Sequence, residues 1–142
     1  MSSLQSLTVD ELIETFDALG DWDAQCDYLI DLGLELPELP AAARCEQNRV
    51  HGCQSNVWLV AEVHKGDPPT VEIQADSDSM IVKGLIAILL TAYSGRSARE
   101  ILNTDIKALF ARLGLDRHLS PQRRNGLFGM VQRIRALAEQ AA

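Results

Sequence analysis

Cys53 stands in the run Arg49-Val50-His51-Gly52-Cys53-Gln54-Ser55, directly before an alternating apolar stretch that begins with Val57 and Trp58. The nucleophile in cysteine chemistry is the thiolate, so a reactive cysteine needs access and a local bias toward the ionised form. Gly52 permits unusual backbone angles and puts no side chain in the way. Arg49, and His51 when protonated, put positive charge nearby, and Gln54 and Ser55 offer hydrogen bonds to sulfur or to the turn. On residue type and spacing alone, three readings stand open for Cys53: a small structural side chain, a metal ligand, or a thiol held out for reaction.

The other candidate groups are weaker. The three cysteines, Cys26, Cys45 and Cys53, form no CxxC pair, so neither a disulfide framework nor a zinc ribbon fits. Cys26 falls on the apolar stripe of a helix, and Cys45 follows a proline linker. His64 and His118 stand singly, with no i, i+4 pair of metal ligands on a helix. A Cys/His hydrolase would need one of them beside Cys53, and no oxyanion-hole signal accompanies it. Neither GxGxxG nor GxxxxGK[ST] occurs, so phosphate cradling has no support. Asp76 and Asp78 are read as acids gathered near a helix N-terminus, and Arg123 and Arg124 as a solvated first turn.

The elements that must position Cys53 are legible as patterns. Thr8-Val9-Asp10-Glu11 has the form of a capping box and opens a helix over residues 9–19, closed by Gly20. Asp21 caps a second helix with the stripe Trp22, Cys26, Leu29, Ile30, Gly33, after which LELPELP imposes an extended linker. Residues 57–63 and 71–75 alternate as two strands of a hairpin around HKGDPP, and residues 48–50 are expected to supply a third short strand. That arrangement puts Cys53 on a tight loop at a sheet end. Ser77 or Asp78 starts a helix through MIVKGLIAILLTAY that is apolar on nearly every side and therefore central. Ser97 to Glu100 forms another capping box, Asp105 to Leu113 gives a short helix closed by Gly114, and Ser120-Pro121 opens a last helix carrying Leu127, Val131, Ile134 and Ala138. The expected fold is α+β, a small three-stranded antiparallel sheet packed by several helices in a single domain over residues 1–142.

Composition limits the partners. The net charge of −7 divides into −12 over residues 1–95 and +5 over residues 96–142, and the pI is near 4.8. Such acidity speaks against a general nucleic-acid binder. The most apolar stretch, Gly84 to Tyr93, is 10 residues long, against about 20 for a membrane span. The first residues lack the basic and apolar regions of a signal peptide, which places the protein in the cytoplasm, where thiols stay reduced.

Four blocks, LIDLGLELPELP, NRVHGCQSNVWLV, DSDSMIVKGLIAILLTAYSG and LSPQRRNGL, resemble in content, order and spacing the SufE-type sulfur acceptors, including their CsdE relatives. The resemblance covers nearly the whole chain. It implies that Cys53 accepts sulfane sulfur from the persulfide of a cysteine desulfurase, carries it as a persulfide, and delivers it to an iron–sulfur cluster scaffold. The chain would then be an accessory carrier with no cofactor of its own, the pyridoxal phosphate belonging to the desulfurase. Gly52, Gln54 and Ser55 match the family's cysteine loop, Asp76 and Lys83 its DSD…VKG segment, and Arg123 with Gly126 the residues after its SP. His51 and Cys26 depart from the family pattern, and Cys45 has no family role. The competing reading is an iron–sulfur scaffold or metal-binding module, which would need three or four converging ligands where one loop cysteine stands out.

Overall fold

In α1 (Val9–Leu19) the Thr8 hydroxyl accepts the Glu11 N–H at 3.1 Å, and Gly20 ends the helix at φ +78°. Asp21 then caps α2 (Trp22–Leu34) by accepting the Ala24 N–H at 2.9 Å. These elements belong to a computed structural model that describes residues 7–50 and 56–141. The proline linker buries Leu36 and Leu39 while Pro37, Glu38 and Pro40 face outward. It is followed by two single 3-10 turns, Ala41–Ala43 and Glu46–Asn48.

The hairpin consists of β1 (Val57–His64) and β2 (Thr70–Ser77), antiparallel, with Val57 opposite Ser77 and His64 opposite Thr70. Alternation sorts its faces: Val57, Leu59, Val71, Ile73 and Ala75 are buried and share one core with α3 (Met80–Tyr93). That helix is capped by Ser79 rather than Ser77 or Asp78. Its centre, Gly84 to Leu89, is buried throughout, as a helix apolar on all sides requires.

The third strand comes from a different part of the chain than expected. Residues 46–48 coil into a 3-10 turn, so only Arg49 reaches the sheet, as an isolated bridge to Trp58. The third strand is β3 (Arg96–Ser97), returned to β2 by Gly95 at φ +80° and paired through Val71 with Arg96 and Thr70 with Ser97, giving the order β1-β2-β3. The Ser97–Glu100 capping box is present with both of its bonds and opens α4 (Ala98–Asn103). Asp105 caps α5 (Ile106–Leu113), closed by Gly114. A short α6 (Leu115–His118), absent from the pattern reading, precedes α7 (Pro121–Ala141). Helix α7 buries Leu127, Met130, Val131, Ile134 and Ala138 and packs on α4 and β1. The described residues thus form a single α+β domain of seven α-helices and a three-stranded antiparallel sheet. None of these helices is long and apolar enough to cross a membrane.

Candidate functional site

Cys53, with His51, Gly52, Gln54 and Ser55, lies outside the described residues; the frame on which that segment begins and ends does not. On the entering side Val50 is buried, its N–H donating to the Val57 carbonyl at 2.8 Å next to the Arg49–Trp58 bridge. On the leaving side Asn56 is fixed by Asp78, whose two carboxylate oxygens accept the Asn56 N–H at 3.1 Å and its side-chain amide at 2.9 Å. The Asn56 carbonyl in turn accepts the Ser77 hydroxyl at 2.7 Å and the Asp78 N–H at 3.3 Å. Val50 and Asn56 therefore both sit at one end of the sheet, beside the start of α3.

Next to this frame Asp76 is 2% exposed and projects from β2 on the polar face, opposite Trp58. A buried carboxylate needs compensating partners, and Asp76 has four. Arg44 reaches it at 3.0 Å and Lys83 at 3.6 Å, while the backbone N–H groups of Leu39 and Ser77 donate at 3.3 and 2.8 Å. The Arg44 guanidinium also sits 5.9 Å from the centre of the Trp58 ring, within the range of cation–π attraction. Arg44 and Lys83 outnumber the Asp76 carboxylate by one, and the Asp78 carboxylate at the Asn56 anchor balances that excess.

The reading of Asp76 and Asp78 as acids drawn to a helix start is thus replaced by two specific jobs: Asp76 ties linker, sheet and α3 together, and Asp78 pins Asn56. No local signal reveals this, because Arg44 and Leu39 reach Asp76 from 32 and 37 residues away. Of the residues matched to the SufE motifs, Asp76 and Lys83 come together, Gly126 is buried within α7, and Arg123 lies exposed beside Cys26.

The remaining cysteines and histidines are dispersed. Burial, reinforced by Asp23 and Asp27 and opposed by Arg123, pushes the Cys26 thiol up, away from thiolate formation. Cys45 is half-buried at the start of a 3-10 turn. His64 meets Glu72 at 3.0 Å at the far end of the hairpin, and the His118 ring stacks on Trp22 with centroids 4.7 Å apart. Among the described residues no three His, Cys, Asp or Glu side chains converge as a metal site.

Residues 10–138 match the family model SufE, described as an Fe-S metabolism associated domain. An uncharacterized SufE-like protein of Rhizobium meliloti (strain 1021) is 41% identical over 133 residues, which is 93% of this chain and 95% of that protein. A second, from Rhizobium etli, is 46% identical over 134 residues, covering 93% and 90%. Among solved structures, a hypothetical protein from Thermus thermophilus superposes with a TM-score of 0.74 over 94% of both chains at 22% identity, a likeness of fold. With the family model spanning most of the chain and both relatives matching nearly end to end, this protein belongs to the SufE family, associated with Fe–S metabolism.

Proposed function

We propose that the chain, as one domain over residues 1–142, is a sulfur acceptor in iron–sulfur cluster assembly, with Cys53 as the residue that bears the sulfur. Family membership supports the role, and one observation carries the assignment to Cys53: Val50 and Asn56, the residues that flank 51–55, are hydrogen-bonded at the same sheet end, beside the Asp76–Arg44–Lys83 cluster. A reactive thiol on a short segment with fixed ends can be presented to a partner without unfolding the scaffold behind it.

The step is thiol exchange at sulfur. The Cys53 thiolate attacks the outer sulfur of the donor's persulfide, a new S–S bond forms to Cys53, and the donor cysteine leaves as a thiolate while the proton stays on the transferred sulfur. The donor is a pyridoxal-phosphate cysteine desulfurase, which this chain stimulates by emptying its cysteine, and the recipient is a cluster scaffold. The work is that of a carrier acting in the cytoplasm, where Cys53 is kept reduced.

Intact-mass measurement after incubation with a cysteine desulfurase and cysteine tests the reading. The protein gains one or more sulfur atoms, and Cys53→Ser gains none. Undiminished sulfur uptake by Cys53→Ser would overturn the assignment.

A further inference from the structure

The outward face of α2 mixes charge with exposed apolar surface. At 3.6 residues per turn, Asp23, Asp27, Ile30, Asp31 and Leu34 fall within about 100° of one face, while Leu29, Leu32 and Gly33 lie on the buried side. The three aspartates are exposed and follow one another at i, i+4, a spacing at which like charges repel. Among the described residues none of them forms an ion pair. The cations close by are engaged or at the margin: Lys83 bonds Asp76, and Arg123 borders the face beside Cys26. Leu34 stands among these carboxylates and is 67% exposed.

A second exposed apolar residue lies at the same place. Gly33, next to Leu34, packs on α3 so closely that a Cβ on it would lie 2.8 Å from the Lys83 Cβ and from the Gly84 nitrogen. Met80 begins α3 one turn before those two residues and falls between them around the helix axis. It is nevertheless 55% exposed, because α2 stops at Leu34. Among the described residues three large apolar side chains are exposed, and the third, Val63 at 51%, belongs to the far end of the hairpin. Two of the three thus gather at the open end of one helix crossing. Met80 is also two residues from Asp78, within about 8 Å along the chain, and Asp78 holds Asn56, the residue that follows 51–55.

We propose that this face seats the sulfur donor: an apolar projection of the cysteine desulfurase covers Leu34 and Met80, and lysine or arginine side chains beside it meet Asp27 and Asp31. The inference rests on the carrier reading and adds to it where the donor docks. Charge selects the donor over the recipient. A cluster scaffold lines its receiving site with thiolates, which the same carboxylates repel. A donor seated on Met80 brings its persulfide to the sheet end where Val50 and Asn56 flank Cys53.

The test measures sulfur loading of the intact chain by a cysteine desulfurase, read by intact mass over a range of carrier concentrations. Leu34→Ser with Met80→Ser should raise the concentration for half-maximal loading at least tenfold. Asp27→Lys with Asp31→Lys should raise it at least fivefold, by an amount that shrinks as salt is added. Val63→Ser, exposed but at the far end of the hairpin, should leave it within twofold. Inorganic polysulfide needs no seat and should load the Leu34→Ser, Met80→Ser chain as fast as the unsubstituted one, which shows that its fold and thiol are intact. Unchanged half-saturation in that double variant, or an equal loss in Val63→Ser, would overturn the proposal and leave the carrier reading in place. So would slowed loading by polysulfide, which traces the defect to the thiol, or normal loading with slowed delivery to a scaffold, which gives the face to the recipient. Failure of the desulfurase to load the unsubstituted chain would remove the carrier reading and this proposal with it.

Discussion

Where α2 crosses α3, Gly33 and Gly84 bring two backbones together with no side chain between them: a Cβ on Gly33 would lie 2.8 Å from the Gly84 nitrogen, and one on Gly84 would overlap the Leu29 carbonyl oxygen. At the end of the sheet, by contrast, a single carboxylate gathers two cations and two N–H groups from the linker and the turn after it, from its own strand and from α3. The first contact is held by shape and has no tolerance for added volume. The second is held by charge and hydrogen bonds, and it keeps its place only while every partner remains. The fold is therefore rigid at the helix crossing, which anchors the core, and adjustable at the polar junction, which holds the linker against the sheet and α3.

Three experiments distinguish the two kinds of contact. The largest effect belongs to Gly84→Val, which drives branched carbons into the α2 backbone and should cost more than about 3 kcal/mol, seen as a large loss of urea midpoint or as failure to fold. A loss under about 1 kcal/mol would mean that the crossing is adjustable after all. Asp76→Asn should cost less, roughly 2–3 kcal/mol, because Arg44 and Lys83 keep partial access to water, which softens the penalty of a broken buried pair. Its signature is local. Trypsin cleavage after Arg44 should accelerate more than the lost global stability accounts for, and parallel changes in the two would place Asp76 with the rigid core instead. The smallest effect is at Cys26. With its thiol pushed up by burial and by two neighbouring aspartates, less thiolate is present at about pH 8, so alkylation measured site by site should be slower there than at Cys45 and should gain on it as pH rises. Faster alkylation of Cys26 under those conditions would show that the α2 surface opens readily.

Much of the fold could be read from local chemistry. The Thr8 and Asp21 caps, the Ser97–Glu100 capping box, the Gly20 and Gly114 stops and the period-2 hairpin all depend on residues within one or two turns of each other, and each is found where the pattern puts it. Strand β3 was not legible because two residues carry no period; β2's edge and the Gly95 turn create it. The role of Asp76 was hidden for a related reason: on the polar face of a strand an aspartate looks solvated, and only the crossing of the proline linker buries it. Cys53 itself stood out in the sequence for its glycine and polar neighbours, and it is the flanking anchors at Val50 and Asn56, not the cysteine, that add to that reading.

Helix α7 carries a consequence for biosynthesis. Its Leu127, Met130, Val131, Ile134 and Ala138 complete the hydrophobic interior, and Arg133 donates to the Gln47 carbonyl at 3.1 Å, just ahead of the Cys53 segment. A nascent chain leaving the ribosome cannot close this interior until the 21-residue α7 has emerged, so the segment that leads to residues 51–55 gains its Arg133 contact only after the rest of the sheet and α3 have been made.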